Sequence, residues 1–152
     1  MAEMQRSLVI AKPDAVQRGL VGEIFGRLER RGLKLVACRM LLADRVLAEE
    51  HYGEHREKPF FGELVGFITS SPVVAAVFAG PDAVSIIRTT NGATRPAESP
   101  PGTIRGDFAI DVNRNLVHAS DSVESATREI ALWFGPDAVQ EWEQTLYPWL
   151  VG

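Results

Sequence analysis

Apolar and polar positions divide this chain into alternating strand-like and helix-like segments. Ser7 to Ala11 is an apolar run that stops at Lys12-Pro13-Asp14. It reads as a first strand, because Pro13 cannot donate to a ladder yet permits a helical turn. Val21, Ile24, Phe25 and Leu28 then recur at helical spacing as far as Arg31, and Gly32 is placed to end that helix. Leu33 to Leu41 reads as a second strand. Asp44 is placed to cap a helix carrying Val46, Leu47 and Tyr52 toward His55, and Phe60 to Ile68 reads as another amphipathic helix. Val73 to Phe78 is a β-branched strand, and Asp82 opens a helix through Arg88 that closes near Asn91-Gly92.

The stretch from Gly92 to Gly106 is rich in proline and glycine and shows no periodicity. Unstructured connections longer than about 12–15 residues are uncommon in compact domains and are usually functional or disordered. This one carries Arg95 and Arg105 between structured segments, which points to a functional loop. Leu116 to Ala119 is a short strand, and Asp121 with Glu124 forms a capping box for a helix through Phe134. Gly135-Pro136 ends that helix, and a last helix is expected from Asp137 to Leu146. The order predicts an α/β sandwich of the α+β class, one sheet covered on one face. The leading topology is a ferredoxin-like βαββαβ core with an antiparallel four-stranded sheet and additional helices. A doubly wound parallel fold is the alternative, and the missing glycine fingerprint counts against its dinucleotide-binding form. With no repeat or linker, residues 1–152 are expected to form one domain.

Composition narrows the function. At 152 residues, 45% hydrophobic and 24% charged, the chain has the balance of a soluble globular protein rather than a disordered one. A net charge of -4 argues against a general nucleic-acid wrapper. Only Lys12, Lys34 and Lys58 among the 16 basic residues are lysines, and arginine forks suit phosphate oxygens. The single Cys38 excludes an intrachain disulfide framework. No apolar run is long enough to span a membrane and no secretory core is visible, so a cytoplasmic location is expected.

Common signatures are missing: there is no Walker A motif, GxGxxG, HExxH or G-x-S-x-G elbow. His51 and His55, four apart, could share a helix face, although ordinary surface or a substrate contact is a better reading than a metal pair. His118 is the best nucleophile candidate, at the end of an apolar strand before Ser120-Asp121. A neutral imidazole retains a nucleophilic nitrogen, and a carboxylate on the other nitrogen, such as Glu129 one helix later, can fix the tautomer.

Asn115-Leu116-Val117-His118-Ala119-Ser120-Asp121 resembles the signature of the nucleoside diphosphate kinase family. The resemblance extends through Lys12-Pro13-Asp14, Gly19-Leu20-Val21-Gly22, His51-Tyr52, Lys58-Pro59-Phe60-Phe61, Gly102 to Asp107, and Arg128-Glu129-Ile130, in order and across virtually the whole chain. It implies a ping-pong phosphotransferase in which His118 Nδ1 accepts the γ-phosphoryl group of a nucleoside triphosphate and passes it to a diphosphate. By the same resemblance Glu129 orients His118, and Lys12 reaches the sugar hydroxyl and phosphate with support from Tyr52. Asn115 lies near the sugar 3'-hydroxyl and Phe60 stacks on the base. Arg88, Thr94 and Arg105 hold phosphates, with Arg105 delivered by the long loop into a solvent-facing cleft. Ser120 supports Glu129.

Mg2+ is expected as cofactor, bound mainly through the nucleotide phosphates rather than by protein ligands. The expected assembly is a homohexamer of three dimers, with the aromatic tail from Trp142 to Trp149-Leu150 at an interface or folded on its own subunit. No membrane partner is expected, nor nucleic acid as main substrate. A catalytically inactive regulatory or nucleic-acid-binding module is the alternative. Two departures stand out: Ala119 replaces a frequent glycine, which would strain the backbone if that position needs positive φ. Arg95 adds charge where Asn or Asp is usual.

Overall fold

The computed structural model describes residues 3–152. Four strands, β1 (Met4–Ala11), β2 (Lys34–Leu41), β3 (Val73–Pro81) and β4 (Val117–Ala119), form one sheet in the order β2-β3-β1-β4 with every pairing antiparallel. The helices are α1 (Pro13–Gln17), α2 (Val21–Arg30), α3 (Arg45–His51), α4 (Phe61–Ile68), α5 (Ala83–Asn91), α6 (Ile104–Phe108) and α7 (Val123–Phe134). This is the α+β, ferredoxin-like arrangement that the element order predicts.

The sheet is covered on both faces, not one. Alternation along β1 sends Val9 and Ala11 toward Ile24, Phe25 and Leu28 of α2 and Ile87 of α5. Leu8 and Ile10 point the other way, among Ala48, Val65, Ile68 and Trp133. Phe25 closes edge-on against Phe78 at 5.6 Å. The central strands are apolar on both sides, and such a strand shows no period-two signal from which a second layer could be inferred.

Local differences have local causes. Asp44 caps α3 as expected, accepting the Leu47 N–H at 2.8 Å. For α7 the cap is Ser122, which accepts the Ser125 N–H at 3.0 Å, rather than Asp121. The stretch after α5 is not structureless. It holds a 3-10 turn at Pro96–Glu98 and α6, capped by Thr103 through the Gly106 N–H at 2.9 Å. Gly106 is needed there, because a Cβ would lie 1.9 Å from the Pro100 carbonyl oxygen.

The expected helix from Asp137 to Leu146 does not form; only Tyr147–Trp149 makes a 3-10 turn. Its backbone is captured by β2 instead. The Gln140 N–H bonds Val36 O at 2.8 Å, where β2 slips register, and Trp142 accepts Lys34 Nζ at 2.7 Å and donates its indole to Leu35 O at 2.9 Å.

Candidate active site

β4 pairs with β1 so that Ile10 faces His118 and Ala11 faces Val117. Val117 and Ala119 enter the α2–α5 core, which turns His118 to the opposite face, toward α3 and α7. On α7 the buried stripe Ala126, Glu129, Trp133 runs at helical spacing and carries a carboxylate and an indole down onto the sheet.

Glu129 Oε2 lies 3.2 Å from His118 Nε2, and its Oε1 accepts the Ser120 hydroxyl at 2.7 Å. Ser120 Oγ in turn accepts the Leu8 N–H at 3.1 Å, tying the pair to β1. Burial works against a charged Glu129, but the His118 hydrogen bond and charge, then Ser120, outweigh it and pull its pKa down to about 2. An ionised carboxylate only accepts hydrogen bonds, so the neutral His118 ring carries its proton on Nε2 and its lone pair on Nδ1. Ala119 takes no positive φ, so the methyl in place of glycine costs no backbone strain.

Lys12 follows the last β1–β4 pair, and its ammonium bonds Asn115 Oδ1. Asn115 is buried and donates its amide to Thr94 O at 3.0 Å, while the Thr94 side chain remains exposed. Burial, partly offset by Asp14 and reinforced by Arg105 and Arg114, lowers the Lys12 pKa to about 8. Arg88 is exposed on α5 and close enough to Arg105 to contribute, after burial, to lowering the Arg105 pKa to about 10.

Arg105 corrects the sequence reading. It sits on α6, is 9% exposed, and is not the solvent-facing tip of a loop. Nε donates to Asn115 O at 3.1 Å, Nη1 to Gly92 O at 3.0 Å and Ala93 O at 3.4 Å, and Nη2 to Val117 O. With its N–H groups committed in this way, one Nη2 hydrogen is left without a partner among the described residues.

Phe60 is 41% exposed at the start of α4, against the His55 ring at 5.5 Å, whereas Phe61 packs inward. Tyr52 packs its ring on His51 at 4.7 Å and makes no hydrogen bond to Lys12 among the described residues. Burial, then the Glu129 charge, pushes its hydroxyl up to about 12.

His51 and Trp133 belong to the site and were not assigned to it from sequence. His51 is buried, accepts the Trp133 indole N–H on Nδ1 at 3.0 Å, and lies edge-on to the His118 ring at 4.6 Å. Burial and then His118 drive its pKa down to about 3. The available signal was the spacing of Glu129 and Trp133, four apart on one helix face. His55 does not join His51; it lies in a 3-10 turn beside Phe60.

His51, His118 and Glu129 are the one cluster with metal-compatible spacing among the described residues. They do not suit Mg2+, which takes oxygen ligands in octahedral geometry. Both Glu129 oxygens are engaged, and His51 Nδ1 is held by a donor-only indole.

The family model described as nucleoside diphosphate kinase matches residues 5–139. A nucleoside diphosphate kinase of Archaeoglobus fulgidus is 60% identical over 147 residues, covering 97% of each chain. One from Symbiobacterium thermophilum is 63% identical over 132 residues, covering 87% of this chain and 88% of its own. The structure of a halophilic nucleoside diphosphate kinase from Halobacterium salinarum in complex with CDP aligns with a TM-score of 0.95 at 46% identity, covering 99% of this chain and 100% of that one.

Proposed function

The chain belongs to the nucleoside diphosphate kinase family and is a phosphotransferase, and we propose that it works by a phosphohistidine relay centred on His118. The observation that carries this reading is the His118–Glu129 pair: a carboxylate takes Nε2 and leaves Nδ1 with its lone pair. In the first half-reaction Nδ1 attacks the γ-phosphorus of a nucleoside triphosphate. The bond to the β–γ bridging oxygen breaks, and the diphosphate leaves with that electron pair. The Nε2 proton stays on the ring, where Glu129 balances the charge of the phosphorylated imidazole. An oxygen of a second diphosphate then attacks the phosphorus and restores His118.

Lys12, Arg88 and the remaining Arg105 hydrogen supply positive charge for the phosphoryl oxygens, and Asn115, held by Thr94, addresses the sugar. The exposed Phe60 ring offers a stacking face to any base, which supports broad base use. Among the described residues the one metal-compatible cluster, His51, His118 and Glu129, does not suit Mg2+; the ion would come with the nucleotide, held by its phosphates, and would neutralise their charge.

No helix among the described residues is long and apolar enough to cross a membrane. Cys38 is exposed and unbridged, consistent with a reducing cytoplasm. The homohexamer of three dimers is carried by the family resemblance; Ile110, 97% exposed, and Trp149, 87% exposed, are apolar groups that such an assembly would cover. Light scattering tests the assembly; a persistent monomer or a stable tetramer rejects it.

The chemistry is tested with γ-labelled ATP–Mg. The expected product is an acid-labile, alkali-stable label on His118 that GDP removes, with parallel double-reciprocal lines. His118→Ala forms no label while still binding nucleotide. Full transfer by that variant rejects the reading.

A further inference from the structure

Leu116 lies immediately beyond the β1–β4 ladder, fully buried, with φ 74°. The Val117 N–H returns to Asn115 O at 2.9 Å, closing a three-residue turn with Leu116 at its centre. A γ-turn with positive central φ is the rare, strained form, and a leucine has no intrinsic preference for it. Such a conformation persists where neighbours over-determine it, and these neighbours are specific. Asp14 Oδ2 accepts the Leu116 N–H at 2.9 Å, and the Lys12 N–H reaches Leu116 O at 2.9 Å. The turn separates Asn115, the partner of the Lys12 ammonium, from the strand that carries His118.

We propose that Asp14 is a positioning residue for phosphoryl transfer: its carboxylate holds the strained turn at Leu116 closed and compensates the charges of Lys12 and Arg105 beside it, and so sets Asn115 and Lys12 in register with His118. The proposal rests on the phosphohistidine reading above. Asp14 is buried, and its second oxygen, Oδ1, has no hydrogen-bond partner among the described residues. An amide at this position could accept the Leu116 N–H equally well, so the bond alone does not call for a charge. The Coulombic surroundings do: Asp14 acts on both Lys12 and Arg105, two cations buried beside the turn. The carboxylate thus has two separable tasks, holding the turn and compensating those cations.

Lys12 gives the second task a readout. The charged groups acting on it are Asp14 from α1, Arg105 from α6 and Arg114 from the segment before β4; only Asp14 raises its pKa, which stands at about 8. Asp14→Asn keeps an acceptor for Leu116 but removes the charge, so Lys12 loses its proton at lower pH. A merely structural residue would not move that limb.

The test measures single-turnover phosphorylation of His118 by ATP–Mg, from pH 6 to about 9.5 to span the Lys12 titration, with melting temperature followed in parallel. Asp14→Asn is expected to melt close to the wild type and to move the alkaline limb of the rate to lower pH. Asp14→Ala, which also releases the turn, is expected to slow phosphorylation by about tenfold to a hundredfold, the range that small misplacements cost, with a smaller change in nucleotide affinity. If Asp14→Ala does not fold, Asp14→Asn decides alone: a wild-type limb overturns the proposal. Wild-type rates in a folded Asp14→Ala overturn it as well. A wild-type enzyme that forms no phosphohistidine overturns the relay itself, an outcome distinct from normal labelling in both variants.

Discussion

The Trp133 indole donates its N–H to Nδ1 of His51 at 3.0 Å; both side chains are buried, and His51 lies edge-on to the His118 ring. An indole can only donate, so His51 must accept on Nδ1 and carry its proton on Nε2. The same logic operates between Glu129 and His118, with the roles reversed: there an acceptor dictates where the proton sits. Two neighbouring imidazoles therefore have their tautomers set by fixed partners on one face of α7.

Trp133→Phe keeps the aromatic volume near His51 but leaves Nδ1 without its donor. The expected cost is about 1–3 kcal/mol of stability, the usual penalty for a buried polar atom left unpaired. Urea unfolding at neutral pH measures it; a stability equal to the wild type would show that the bond is not needed.

Glu129→Gln can present either an amide oxygen or an NH2 group to His118 Nε2. The NH2 orientation needs Nε2 as acceptor, which moves the ring proton to Nδ1 and blocks the nucleophile. Turnover should fall by about 100-fold, within the range for a lost proton-managing partner. Nucleotide affinity should change little, and binding measured beside phosphorylation rates separates the two effects.

Arg105→Ala should destabilise the fold as well as slow turnover. The guanidinium joins Gly92, Ala93, Asn115 and Val117 through their carbonyls. Its loss takes a donor from four carbonyls, of which Asn115 O keeps the Val117 N–H and Ala93 O keeps the Ser99 hydroxyl, for an expected cost of roughly 1–3 kcal/mol. Arg105→Lys should recover little, because a single ammonium cannot reproduce the fork. Thermal melts of both variants check this.

Acid should weaken the fold in two stages. His51 has its pKa lowered from 6.5 to about 3, so its contribution is complete above pH 6.5 and is lost as pH falls toward 3. Glu129, lowered from 4.5 to about 2, holds its contribution above pH 4.5 and loses it as pH falls through 2. His51→Gln, which keeps an acceptor for Trp133, should flatten the decline between pH 6.5 and 4.5. Stability measured across that interval in both proteins checks the slope.

The sequence by itself determined the elements whose physics is local. Apolar spacing over a few turns located α2, Asp44 marked the start of α3, a capping signal placed α7 to within a residue, and the Asn115-to-Asp121 motif with its companion segments identified the family and the His118–Glu129 pair. Local rules failed where distant groups competed for the backbone. The Asp137–Leu146 segment bonds to β2 instead of coiling on itself, and the segment after α5 gains α6 through the Thr103 cap and the fit of Gly106 against Pro100. Only the tertiary structure decided that Arg105 is buried, that His51 is pinned by Trp133, and that Asp14 reaches a backbone N–H 102 residues away. The physical reason is common to these cases: burial and hydrogen-bond partners depend on which elements the sheet brings together, and side-chain periodicity along one segment carries no record of its neighbour in space.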